Sequence, residues 1–166
     1  MCIRDRAFYD PPNFSYPFGA HVAIVDVDAD TGHVSLRRYV AVDDCGIQIN
    51  PMIVEGQVSG GVVQGAGPVL WEGAVYDDDG QLLTGSMLDY GLPRADVVPD
   101  IESLSTETPS GHHPLGVKGV GETGTIASTI TIYNAVMDAL KPFGVEKIDM
   151  PLTPQKVWSA INESRG

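Results

Sequence analysis

The segment 51–70 (PMIVEGQVSGGVVQGAGPVL) constrains the fold more than any other stretch of the chain. Val54, Val58 and Val62 recur at a spacing of four, which places them on one face of a helix. Asn50 suits the N-cap, and Pro51 suits the first helical turn. Yet Gly56, Gly60, Gly61, Gly65 and Gly67 fall inside the same segment. Each glycine costs a helix roughly 1 kcal/mol relative to alanine. A helix so burdened needs a compensating cause, and a second backbone or a ligand approaching closely would supply one. With 166 residues, 43% hydrophobic and 19% charged, the chain has enough apolar material for one packed domain.

Around this helix the pattern alternates between strands and helices. Residues 7–19 read as an irregular, Pro- and aromatic-rich lead-in. Residues 20–29 and 34–43 alternate as strands around the turn Asp30-Thr31-Gly32-His33, which predicts a hairpin. A loop is expected at 44–50, a second hairpin at 71–88, a loop at 89–99 and a strand at 101–107. The segment 125–141 predicts a helix, with Ile126, Ile130, Tyr133, Met137 and Leu140 as its apolar stripe. A short strand is expected within 143–150 and a last helix at 153–163, with Thr153 as N-cap. The class is α+β, with a mixed or mostly antiparallel sheet and packed helices. Met1 to Arg6 share no pattern with the segment after them and read as a non-native leader, which leaves 7–166 as the domain.

Composition excludes several functions. A net charge of −12, from 10 Lys and Arg against 22 Asp and Glu, lacks the basic footprint of a nucleic-acid binder. Cys2 and Cys45 form no CxxC pair, so no zinc or iron–sulfur site is expected from this chain. No apolar run is long enough to span a bilayer, and the first residues lack a signal-peptide core, so a cytoplasmic protein is expected. His112 and His113 lack metal-ligand spacing, and Asp77 to Asp79 read as a solvated turn. No protein metal ligands are expected.

Three glycine-bearing segments remain: 43–50 (DDCGIQIN), 56–67 (GQVSGGVVQGAG) and 116–124 (GVKGVGETG). The third leads into the helix at 125, where amide donors and the helix dipole favour an anion, with Lys118 nearby. Glu122 sits in that loop. A carboxylate held there and partly desolvated would be a base near neutral pH. The alternative is a first-turn acid that stabilises the helix dipole. Gln57 and Gln64 lie seven apart, roughly on one helical face, where their amides could address a heterocycle edge. The residues alone leave open a standalone phosphate- or nucleotide-binding module, or a structural α+β domain whose glycines serve packing.

The motifs D-x-G-x-x-x-N-P at 44–51, G-Q-x-x-G-G-x-x-Q-G at 56–65 and K-G-V-G-E at 118–122 together resemble the molybdopterin-binding large subunit of the xanthine dehydrogenase, aldehyde oxidase and aerobic carbon monoxide dehydrogenase family. The resemblance covers nearly the whole chain after residue 7 and places it in the C-terminal part of that subunit, within its second molybdopterin-binding domain. It implies Glu122 as the catalytic base and Gln57 as a cofactor-contacting residue. It also implies that Asp43, Lys118, Gly119, Val120 and Gly121 lie near the pterin, its phosphate or its nucleotide extension. The implied cofactor is molybdopterin with molybdenum, in its cytosine dinucleotide form. FAD and 2Fe-2S clusters are implied on partner subunits, and the missing N-terminal part of the same subunit is implied as a further partner. The implied reaction is hydroxylation of a small-molecule carbon centre with oxygen from water.

Overall fold

In the computed structural model, which describes residues 8–164, strand β2 (Val34–Asp44) is the centre of the molecule. It pairs antiparallel with β1 (Phe18–Val27) and parallel with β3 (Ile101–Thr106), giving a mixed sheet of order β1-β2-β3. The predicted leader at 1–6, and Cys2 with it, lies outside the described residues. A parallel neighbour demands a long crossover, and the stretch from β2 to β3 provides it by carrying helix α1 (Pro51–Leu70). Helix α2 (Thr123–Leu140) packs on β1 and against α1. Helix α3 (Pro154–Ser164) comes last, and its first turn lies against Gly32 in the β1–β2 turn. Gly32 has φ +72°, and the Pro154 carbonyl and Trp158 fill the space a side chain would need.

A single core joins these layers. Leu36, Tyr39 and Ala41 of β2 meet Val58, Val62 and Val69 of α1. Ile132, Val136 and Leu140 of α2 close the same core, with Val157 and Ile161 of α3 beyond them.

The glycines of α1 divide into two sets. Gly61 and Gly65 face α2. A Cβ on Gly61 would stand 3.0 Å from the Thr125 amide nitrogen, and one on Gly65 would run into the Ser128 hydroxyl. Thr125 Oγ1 donates to the Gly61 carbonyl at 3.0 Å, and Thr129 Oγ1 donates to the Gly65 carbonyl at 3.2 Å. A second backbone is therefore the cause the sequence demanded at these two positions. Gly56 and Gly60 are different, because nothing lies within 4 Å of a Cβ built on either. Gly56→Ala is therefore expected to raise the stability of the chain by about 0.5–1 kcal/mol, read as a higher midpoint of thermal unfolding. A lower midpoint would show that the position is already crowded.

Several expectations change. Helix α2 turns Thr123, Gly124, Ser128, Ile132, Val136 and Leu140 inward. Ile126 and Ile130, expected in the core, are 66% and 55% exposed. Close approach to α1 selects small side chains for the contact, and the large ones rotate away. The expected hairpin at 71–88 reduces to one bridge, Tyr76 to Leu82, around the Asp77–Gly80 turn. No strand forms in 143–150. Val145 and Ile148 there are buried, but the segment has no neighbouring strand. No helix among the described residues is long and apolar enough to cross a membrane.

Candidate functional site

The three glycine-bearing segments come together at one end of the sheet. The second and third meet where α1 crosses the start of α2, with Gly124 against the backbone of Val58, Gly61 and Val62. The first and third meet through an antiparallel bridge, Gly46 to Val117. That bridge is extended by the Lys118 amide donating to the Cys45 carbonyl at 2.8 Å and the Ile47 amide donating to the Gly116 carbonyl at 3.1 Å. Gly46 and Gly116 adopt φ of +67° and +66°, so the turn that lets these two loops touch depends on residues free to take the left-handed conformation.

Gln57 projects from α1 toward the third segment. Its Oε1 lies 3.6 Å from the position of a Cβ on Gly121. Gln64 Oε1, farther along the same face, stands 3.3 Å from the Thr125 hydroxyl. Gly119, Gly121 and Glu122 are exposed, as are Gln57 and Gly60. Gln57 thus approaches Gly121, the residue before Glu122, and Glu122 lies on an open face rather than inside a closed cavity. Thr123 and Gly124 are buried, and the Thr125 amide nitrogen faces Gly61. The start of α2 is thus turned toward α1. The backbone available to a ligand is that of Gly119 to Gly121.

Asp43 and Asp44 are adjacent on β2, so their side chains leave opposite faces of the sheet. Asp43 turns toward the helices. Its Oδ2 lies 3.2 Å from His21 Nε2, and His21 Nδ1 lies 2.7 Å from the Tyr39 hydroxyl. The side chains of His21 and Asp43 are 0% and 4% exposed. Burial pushes the Tyr39 hydroxyl well above its ordinary range; a hydrogen bond with Thr131 opposes this, and the charge of Asp43 adds to it.

Asp44 turns the other way. Its carboxylate accepts from the Gly46 amide at 3.0 Å, from Thr106 Oγ1 at 3.1 Å and from Lys118 Nζ at 3.0 Å. The Lys118 ammonium also lies 4.6 Å from the centre of the Phe18 ring. Burial alone would raise the Asp44 pKa. The Gly46 amide, the Thr108 hydroxyl, Lys118 and the Thr108 amide outweigh it and hold this carboxyl well below the usual carboxylate range. Cys45 is buried and free, and burial pushes its thiol up.

The structure thus separates the residues singled out by sequence into two groups. Gln57, Gly119, Gly121 and Glu122 lie on the open face, with half-buried Val120 between them. Asp43 and Lys118 are instead enclosed, each engaged by an internal partner. Neither the His21 partner of Asp43 nor the pairing of Lys118 with Asp44 is expected from the sequence motifs. The available signal is two consecutive acids ending a strand whose previous residues, Tyr39 to Val42, are apolar. Strand alternation buries at least one such acid, and a buried acid requires a partner.

The open face suits a group that carries its own metal ligands. No cluster of His, Cys, Asp or Glu that could hold a metal ion occurs among the described residues. The face instead offers exposed glycine backbone, an amide side chain and one carboxylate. A Cβ at Gly56, Gly60 or Gly119 would meet nothing within 4 Å.

The family model described as molybdopterin cofactor-binding domain matches residues 3–99. The carbon monoxide dehydrogenase large chain of Hydrogenophaga pseudoflava is 46% identical over 156 residues, covering 94% of this chain and 19% of that protein. The nicotine 6-hydroxylase large subunit of Paenarthrobacter nicotinovorans is 50% identical over 142 residues, covering 86% of this chain and 17% of that protein. A crystal structure of a Cu,Mo carbon monoxide dehydrogenase in its carbon monoxide-reduced state superposes with a TM-score of 0.92 at 42% identity, covering 96% of this chain and 20% of that one. The chain spans about one fifth of the length of these relatives. The family match stops at residue 99, before the 116–122 loop, whereas an alignment covering 94% of the chain takes that loop in.

Proposed function

Because the chain belongs to the molybdopterin cofactor-binding domain family, we propose that it forms one wall of the active site of a molybdenum hydroxylase large subunit and supplies the catalytic base, Glu122. The observation that carries this reading is the meeting of the glycine-bearing segments around the 116–124 loop, where Gln57 Oε1 lies 3.6 Å from the position of a Cβ on Gly121, the residue before the exposed Glu122. Gln57 would hold the pterin edge through its amide, and the backbone of Gly119, Val120 and Gly121 would approach the cofactor without side-chain hindrance. Asp43 would support this wall from behind, through its bond to His21. The cofactor, when bound, supplies the two-electron redox chemistry of molybdenum.

The protein's part is proton transfer and positioning. A carboxylate oxygen of Glu122 would take the proton from the water-derived nucleophile as it adds to the substrate carbon, and the two electrons that this oxidation releases would pass to the cofactor. In the chain alone this carboxylate is solvated. Cover from the cofactor and the rest of the large subunit would desolvate it and strengthen it as a base. The substrate is a small molecule with an oxidisable carbon centre, of the kind named by carbon monoxide dehydrogenase and nicotine 6-hydroxylase. 2Fe-2S clusters and FAD on partner subunits would carry the two electrons onward, and the assembled enzyme would work in the cytoplasm.

The test is the cofactor content of the complete protein. Purified complex is expected to carry about one molybdenum and one pterin per large subunit. Acid hydrolysis is expected to release a cytosine nucleotide. Complex that assembles fully but contains neither pterin nor molybdenum would refute the reading and favour a phosphate-binding or structural domain.

A further inference from the structure

We propose that Lys118 is a positioning residue: its buried ion pair with Asp44 fastens the 116–122 loop to the end of β2 and thereby sets where Glu122 stands. The assignment of Glu122 as base rests on the function proposed above, whereas the fastening of the loop does not. The ammonium of Lys118 lies 3.0 Å from Asp44 Oδ1, and the two side chains are 8% and 0% exposed. A lysine so enclosed is not free to reach a phosphate on the open face. It is held between the Asp44 carboxylate and the ring of Phe18.

The geometry gives the pair a mechanical role. Asp44 is the last residue of β2, a strand anchored in the core by Tyr39 and Ala41. From that fixed point its carboxylate also holds the Gly46 amide and the Thr106 hydroxyl. It therefore ties together the end of β2, the end of β3 and the first and third glycine-bearing segments. Lys118 is the only one of these groups that belongs to the third segment, and it lies four residues before Glu122. Between them are two glycines and Val120. The Val120 carbonyl accepts from the Thr123 hydroxyl at 2.9 Å, so α2 holds the loop at one end and Lys118 holds it at the other. The hydrogen bonds from the Lys118 amide to the Cys45 carbonyl and from the Ile47 amide to the Gly116 carbonyl run alongside the pair and should depend on it.

Removing one member of a buried pair leaves the other charge stranded, whereas replacing both with neutral groups of similar shape largely avoids that penalty. This asymmetry gives the test. Lys118→Met, Asp44→Asn and the double variant would be made in the complete enzyme complex. Each would be measured for molybdenum and pterin content, for amide hydrogen exchange across 116–122, and for kcat and KM separately.

Lys118→Met is expected to keep its cofactor within twofold, to exchange the 116–122 amides at least tenfold faster, and to lose about tenfold in kcat with KM little changed. The double variant is expected to recover most of the exchange protection and part of kcat. Should either single variant fail to assemble, recovery of assembly in the double variant supports the pair, and failure of the double variant as well overturns it. Loss of cofactor in Lys118→Met that the double variant does not restore would overturn the proposal in favour of direct cofactor binding by Lys118. Unchanged exchange in Lys118→Met would overturn it too. If exchange responds as expected but Glu122→Gln retains full activity, the fastening stands and the assigned base falls.

Discussion

Glu122→Gln in the complete enzyme is expected to leave molybdenum and pterin content unchanged while cutting turnover by roughly 10²–10⁴-fold, the range typical of a lost general base. Glutamine has nearly the shape of glutamate and keeps a carbonyl oxygen, but it does not take up a proton at neutral pH. Glu122 is exposed, and among the described residues its side chain has no hydrogen-bonding partner or ion pair. The substitution therefore breaks no internal contact, and folding should be untouched. Both kcat and kcat/KM should fall together, as they do when an interaction specific to the transition state is removed. Steady-state rates must be read alongside metal analysis of the same preparation. A metal-replete variant working near the wild-type rate would remove Glu122 from the mechanism.

Gly124→Ala is expected to lower stability. In open surroundings alanine would strengthen the helix by up to about 1 kcal/mol. Here the new methyl would strike the Val58 carbonyl oxygen and would lie 2.9 Å from the Val62 nitrogen and 3.1 Å from the Gly61 carbonyl carbon. All three are backbone atoms inside α1, so no side chain can swing aside to make room. Overpacking of this kind costs about 1–3 kcal/mol and at times more. For a domain of this size that corresponds to a fall in the thermal midpoint of roughly 2–12 °C. Gly124 is two residues from Glu122, so the displaced helix end would carry the carboxylate with it, and activity should fall along with stability. An unchanged midpoint would mean that α1 and α2 cross with room to spare at this position.

Elements bounded by explicit local chemistry are legible from sequence. The bounds of α1 match the expected 51–70 because Asn50 caps the helix, its side-chain oxygen accepting from the Ile53 amide at 3.3 Å, and Pro51 opens the first turn. The β1–β2 hairpin is legible from alternation on both sides of a turn whose glycine takes a positive φ. The inward face of α2 is not, because periodicity counts large apolar residues as buried. The contact with α1 inverts that rule: Gly124 and Ser128 face inward, and Ile126 and Ile130 do not. The region 71–88 has the composition of a hairpin, yet Val75, Leu83, Met87 and Leu88 are all exposed, and the chain offers them no surface to pack on.

At the candidate site, the glycine segments and Glu122 can be located from residue types, because close backbone approach needs glycine wherever it occurs. The partners of Asp43 and Lys118 cannot. His21 lies on β1, and Lys118 is 74 residues from Asp44. Which of two neighbouring acids meets which base depends on the strand pairing. That pairing includes an irregularity at Ile24 and Val25, which local sequence does not announce.

The back-to-back placement of Asp43 and Asp44 also guards against misassembly. If β2 paired one position out of step, every side chain on it would change faces. One carboxylate would still find a basic group, but Val42 or Cys45 would occupy the other place. Either His21 or Lys118 would then be enclosed without its acid. The slipped arrangement would carry that penalty on top of exposing Tyr39 and Ala41 and losing their packing. Two consecutive aspartates thus proofread the alignment of the strand from which the 116–122 loop hangs.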